Sequence, residues 1–456
     1  MSEAQESAAA TRPPSDVSPL VGLLGLGALC CWVLVCHYWP QIVALFDLPS
    51  RAERLTGPNA ALTGLVVTAA PMVLWSVLVD KVHRRPSTGI DWDNPRKLSD
   101  VLDVSITKLA GLWATWALIA LFYYMGRWYW DGAYAVSMQV LQAAAAPLFL
   151  LSIPYILWLD RVLVDPRDGC WHFGALLIGR EAFDPAMIWS HLRAWAVKGF
   201  FTAFMIMIVP GGFQNLVAPD WGAFFTSPMG VATLLITLMF VIDEQIGSVG
   251  YVLTMKPLDA QIRSANPYLA GWLAALLCYP PFQLMNPADR PLFYLTGTFG
   301  DDNWFHVMEG QTALLWIWAA LLVFLTGVYA WATVAFGIRF SNLTHRGVLT
   351  NGPYAFTRHP AYLSKNLFWW CASMPFMVSG GASPTDAVRN AFFLGCVSAI
   401  YFWRAKTEER HLLGEDAKYR AYYAWMERNG LVTRLFSRFG AGLRNRRPAL
   451  QPHPAE

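Results

Sequence analysis

The chain reads as an all-α, polytopic integral membrane protein with about ten transmembrane helices and a C-terminal cytoplasmic amphipathic helix. Three observations predict this. Hydrophobic residues fill 55% of its 456 positions and charged ones only 14%, a balance too apolar for a soluble domain of that length. Apolar windows of about 19 residues, each long enough to cross a bilayer, recur along the sequence. Lys and Arg concentrate in alternate connections between those windows, as the positive-inside rule requires.

In chain order, residues 1–18 are rich in Ser, Ala and Pro and read as a disordered tail, without the basic start of a cleaved signal. Spans are expected near 20–46, 60–79, 106–126, 133–159, 194–213, 223–243, 266–285, 311–338, 361–379 and 388–403. One set of loops carries Lys81, Arg84, Arg85, Arg96 and Lys97, then Arg161, Arg167, Arg180 and Arg193, then Lys256 and Arg263, then Arg339, Arg346 and Arg358. The opposite set holds only Arg51, Arg54, Arg127, Arg290 and Arg389. Both termini are therefore expected in the cytoplasm. Trp128, Tyr129, Trp130, Trp221 and Trp403 fall at span ends, where amphipathic rings settle among headgroups, and Pro40, Pro71, Pro147 and Pro154 predict kinks. Residues 404–428 interleave Leu412, Leu413, Tyr419, Tyr422, Tyr423 and Met426 with charged groups and read as a helix lying on the membrane. The organisation expected is a tail (1–18), a transmembrane block (19–305), a membrane core with a cofactor site (306–430) and a basic mobile tail (431–456).

Composition narrows the functional classes. A net charge of +3 carries no indication of a nucleic-acid partner, and none is expected. Seven scattered cysteines, six of them within apolar runs, suggest neither a disulfide framework nor a zinc site. His172, His191, His345 and His411 show no metal spacing and read as interfacial residues. Arg far outnumbers Lys and Ala is abundant, which suits a GC-rich bacterial genome and hence the cytoplasmic (inner) membrane.

Two polar clusters stand at the mouths of spans. Gly352-Pro353-Tyr354 leads into Arg358-His359-Pro360-Ala361-Tyr362, and Arg404-Ala405-Lys406-Thr407-Glu408-Glu409 follows the next apolar run. Pro360 suits a first helical turn because its missing N–H is not needed there, and the helix N-terminus adds partial positive charge. A short return through the membrane would bring both clusters to one surface. His359, Tyr362 and Asn366 then share a face, and Arg404 can pair with Glu408 four residues on.

This combination, with Tyr419 and Tyr422 beyond it, resembles the C-terminal core of the isoprenylcysteine carboxyl methyltransferase and phospholipid methyltransferase family, over roughly residues 310–430. The resemblance implies an S-adenosylmethionine-dependent methyltransferase whose lipophilic or lipid substrate enters from the bilayer. Such a cofactor needs a cation for its carboxylate, an acceptor for its ribose diol and an aromatic wall. Arg358 or Arg404, Glu408 or Glu409, and Tyr354 or Tyr362 offer those groups. The expected cofactor site is thus Gly352, Pro353, Tyr354, Arg358, His359, Tyr362, Arg404, Glu408 and Glu409, with His359, Arg358 and Glu408 as catalytic candidates. A carboxylate acceptor needs no base, whereas a phenol, amine or thiol would need one.

Asp243 and Glu244, at the end of a span, either line a substrate cavity, cap a helix or pair with Arg180 or Arg263. Lys365 departs from the methyltransferase pattern; it either snorkels to the surface or approaches an acidic group of substrate or cofactor. The rival reading is an NADPH-dependent sterol or isoprenoid double-bond reductase, from the span count and a resemblance of Ile178-Gly179-Arg180-Glu181 to a segment of sterol reductases. Ala361, Ser364-Lys365 and the Glu408-Glu409 pair depart from that pattern. A transporter or non-catalytic lipid-binding scaffold is the third class.

Overall fold

A computed structural model of the chain describes residues 11–48, 54–180, 182–282, 303–378 and 383–434. The fold is mostly helical. Among the described residues, seven helices are long and apolar enough to cross a membrane: α1 (Pro19–His37), α2 (Pro58–Leu78), α3 (Leu98–Met125), α4 (Tyr134–Val162), α5 (Pro185–Val217), α6 (Pro228–Val252) and α7 (Thr312–Phe336). Then come α8 (Pro360–Ser373), α9 (Pro384–Glu415) and α10 (Ala417–Asn429). Six of these begin on a proline, whose fixed φ and missing N–H suit a first turn. Ser227, Asp184 and Asp416 cap helix starts through their side chains, and Ser383 with Asp386 forms a reciprocal capping box.

The chain departs from the expected spans in four places. The 20–46 window breaks at Tyr38 into α1 and a short helix Trp39–Phe46, because Pro40 cannot donate to the preceding turn. In the 266–285 window the described residues form only an eight-residue helix, Leu269–Leu276. The α8 helix has 14 residues, about 21 Å at 1.5 Å per residue, against a hydrocarbon core of about 30 Å. The α9 helix has 32 residues, but its apolar run stops near Trp403, and polar residues continue the same helix to Glu415. The expected surface helix 404–428 is therefore two elements divided at Asp416. The apolar face of α10 lies against protein, with Tyr419, Tyr422 and Met426 buried beside Val348.

Helix α6 is central, packing on α7, α5 and α2. Leu29, Met72, Phe213, Ile246 and Val334 form one core across α1, α2, α5, α6 and α7. The segment between α7 and α8 is tied down by Arg346, which is 4% exposed. Its guanidinium donates to the carbonyls of Gly250 (2.7 Å), Leu253 (2.7 Å), Ala260 (2.8 Å) and Phe340 (2.8 Å). Burial first, and then neighbouring Arg339, draws its pKa down to about 9, which still leaves it charged at neutral pH. A two-residue antiparallel pairing, Ser264 opposite His345, joins the same segment to the loop after α6.

Part of the expected N-terminal tail is bonded to the core. The Asp16 N–H donates to Val348 O (2.9 Å), its carboxylate accepts from the Val348 N–H (2.8 Å) and Lys418 (2.5 Å), and Thr350 donates to Pro13 O (2.8 Å). Residues 1–10 and 435–456, holding the rest of that tail and most of the expected basic one, lie outside the described residues, as do Arg51, Arg290 and Glu181.

Candidate functional site

The two polar clusters come together. Loop residues 352–359 deliver Arg358 and His359 to the start of α8, and the polar extension of α9 returns Arg404, Glu408 and Glu409 beside them. Glu409 is the organising anion: it accepts from Arg358 Nε (2.8 Å), His359 Nε2 (3.1 Å) and Lys406 Nζ (2.8 Å). Burial alone would raise its pKa, but the His359 hydrogen bond, Lys406 and Arg358 outweigh it and hold it at about 2. Arg358 also donates Nη1 to Glu427 (2.5 Å) and stacks its guanidinium 4.0 Å over Tyr423. Burial would lower its pKa; Glu409 and Glu427 raise it instead.

Glu408 occupies a different position. Tyr362 donates to its Oε1 (2.5 Å), as does Arg404 Nε (3.3 Å). Both contacts fall on one oxygen, so Oε2 keeps its capacity. Arg404 is 1% exposed, lies over the rings of Tyr362 (5.0 Å) and Tyr279 (5.4 Å), and gives Nη2 to Asn342 Oδ1 (2.5 Å). The His359 and Tyr362 rings stack at 5.7 Å and 8°. Asn366 instead turns back to the Tyr362 carbonyl (2.8 Å).

Tyr354, Arg358, His359, Tyr362, Arg404 and Glu408 line one cavity, and the same cavity reaches Asp243 and Lys365. Gly352, Pro353 and Glu409 stand behind its wall. Gly352 is there to turn the chain: its φ of +56° places a left-handed residue beside Trp331. Tyr422 holds the segment by donating to Tyr354 O (2.7 Å).

Of the intramembrane candidates, Asp243 accepts from Tyr329 (2.7 Å) and from Thr333. Glu244 points elsewhere, toward Gly212, with Oε2 buried and unbonded. The expected partners are engaged otherwise, Arg180 with Asp103 and Arg263 with Asp259 and Asp16. Lys365 faces the cavity, its ammonium 5.0 Å from the Tyr329 ring and 5.3 Å from Trp369. Of the histidines read as interfacial, His191 bonds Thr115 (2.8 Å) and His411 bonds Ser264 (2.9 Å) inside the protein, His345 lies 2.9 Å from Asp416, and His172 accepts from the Asp184 N–H (3.0 Å) at a more exposed site. Burial holds His345 below its ordinary value despite Asp416. Among the described residues no cluster of His, Cys, Asp and Glu could hold a metal ion.

Sequence reading missed Tyr279, Tyr329, Thr333, Asn342, Tyr401 and Glu427. Tyr329 and Thr333 did leave a trace, a hydroxyl pair four residues apart in an apolar run. Asn342 and Glu427 left none, because only the folded loop and α10 bring them in. No protein-family model, curated protein or solved structure matches the chain.

Proposed function

We propose that the protein is a membrane S-adenosylmethionine-dependent methyltransferase acting on a lipophilic acceptor taken from the bilayer. The observation that supports this best is the single cavity running from Arg358, His359 and Glu408 to Asp243 and Lys365. One end suits a polar cofactor and the other a polar group carried on an apolar body. The donor set fits the cofactor. Among the described residues Arg358 Nη2 meets no acceptor and suits a carboxylate, Glu408 Oε2 suits a ribose diol, and Tyr354 and Tyr362 supply aromatic walls for adenine and sulfonium.

When bound, the cofactor supplies an already activated methyl group. The protein's own work is alignment and exclusion of water. Glu409 fixes the Arg358 and His359 side chains, Arg404 fixes Glu408 and Tyr362, and α10 closes the polar end. About ten spans, with both termini in the cytoplasm of a bacterium, complete the proposed arrangement, α8 and α9 forming a short hairpin inside it.

NADPH fits less well. Its three phosphate groups call for several uncommitted cations, yet Arg339 is taken by Asp259 (2.5 Å), Arg346 by carbonyls and Arg404 by Asn342 and Glu408. The test is equilibrium binding of adenosylmethionine and of NADPH to the purified protein, with His359→Ala and Glu408→Ala. Adenosylmethionine binding, weakened in both variants, is the expected result. NADPH binding alone would overturn the assignment.

A further inference from the structure

The membrane end of the cavity presents a carboxylate and an ammonium that do not pair with each other. Asp243 takes one hydrogen bond on each oxygen, from Tyr329 and Thr333, and a carboxylate can accept about four. Lys365 is held over two aromatic rings. Among the described residues it has no hydrogen-bond acceptor and no ion pair within 4.0 Å. Three ammonium donors thus face a cavity in which no described residue receives them. Lys365 follows Tyr362 by three residues on α8, so its backbone stands about 4.5 Å deeper along the helix axis, and both side chains line the same cavity.

The geometry points to a hydroxyl group, of the phenol or enol type on a lipophilic body, as the acceptor, with Asp243 taking its proton and Lys365 holding its oxygen. This rests on the methyltransferase reading above. Charge selects the class. A carboxylate acceptor would be attracted by Lys365 but repelled by Asp243, and an ammonium would meet the reverse. A hydroxyl donates to one and accepts from the other. As its O–H bond breaks, the proton passes to Asp243 and Lys365 stabilises the oxygen's growing charge. The acceptor oxygen then bonds to the methyl carbon while the carbon–sulfur bond breaks, its electron pair leaving with the sulfur as a neutral thioether. Asp243 releases the proton to water before the next cycle.

The test uses full-length purified protein and a long-chain alkyl nitrophenol, whose absorbance reports its own ionisation, first without any cofactor. Wild type, Lys365→Met and Asp243→Asn are titrated with the probe bound. Loss of the ammonium should raise the apparent pKa of the bound phenol, giving about tenfold less phenolate at a fixed pH. Loss of the carboxylate should move it the opposite way. With adenosylmethionine added, wild type should methylate an alkylphenol in preference to an alkanoic acid or alkylamine. Asp243→Asn should lower kcat about 100-fold or more with cofactor affinity held, and Asp243→Glu should restore part of it. Unmoved titrations, or transfer to the acid or amine that Asp243→Asn leaves intact, would overturn the hydroxyl assignment. If adenosylmethionine does not bind at all, the methyltransferase reading falls and the transfer step with it. Opposite shifts of the probe would still establish the hydroxyl site.

Discussion

Replacing Glu409 by Gln removes the anion on which the polar end of the cavity is built, at almost unchanged shape. The side chain is 5% exposed and meets three cationic or titratable partners, so solvent does little to screen it. Holding a glutamate at about 2 instead of 4.5 corresponds to about 3 kcal/mol at about 1.36 kcal/mol per pKa unit. Because the folded-state value is depressed, this stability is fully present above about pH 4.5 and disappears as pH falls toward 2. Glu409→Gln should therefore lose about 2–3 kcal/mol at pH 7. The Glu427 contact to Arg358 survives and keeps the loss from being larger. The assay is unfolding in mixed micelles, followed by tryptophan fluorescence at several pH values, alongside adenosylmethionine binding. Wild type should converge on the variant as pH falls below 4.5. A variant as stable as wild type at pH 7 and unchanged in cofactor affinity would refute the claim that this carboxylate organises Arg358 and His359.

Arg404→Lys keeps the charge but loses the fork joining Glu408 to Asn342; cofactor affinity by calorimetry should fall roughly 10- to 100-fold. Asp16→Ala frees Val348, on the cavity wall, and Lys418, on α10; the same titration should show about tenfold weaker binding, and limited proteolysis should cut α10 sooner. Lys108→Met removes the ammonium that meets Asp160 at 2.7 Å and Asp168 at 3.0 Å, stripping the fully buried Asp160 of that cation while Asp168 keeps Lys256 at 3.8 Å. It should cost about 3–5 kcal/mol in the unfolding assay while cofactor affinity stays within twofold.

How much of this was legible in the sequence follows from the range of the forces involved. Hydrophobic runs are local, so α1 to α7 could be read from composition. Their ends were blurred where an apolar window continued past a proline, as at Pro40. The Arg404–Glu408 pair was legible because four residues make one helical turn. The Arg358–Glu409 pair, fifty-one residues apart, was legible only as two polar clusters at one surface. What sequence concealed is which side of a residue faces what. Glu244 and Asp243 are neighbours in an apolar run, yet their side chains diverge, one toward Gly212 and the other toward Tyr329 and Thr333. Successive helical positions differ by about 100°, so no composition rule separates them. The same limit misplaced α10. An alternation of Tyr, Leu and Met with charge fits a membrane surface or a protein groove equally well, since both offer apolar cover on one side only. Val348 and the Tyr354 carbonyl decide for the groove. Those contacts arise from the loop that Arg346 ties to the end of α6, so the polar end of the cavity depends on a residue that joins backbone carbonyls at the end of α6, at Ala260 and at Phe340.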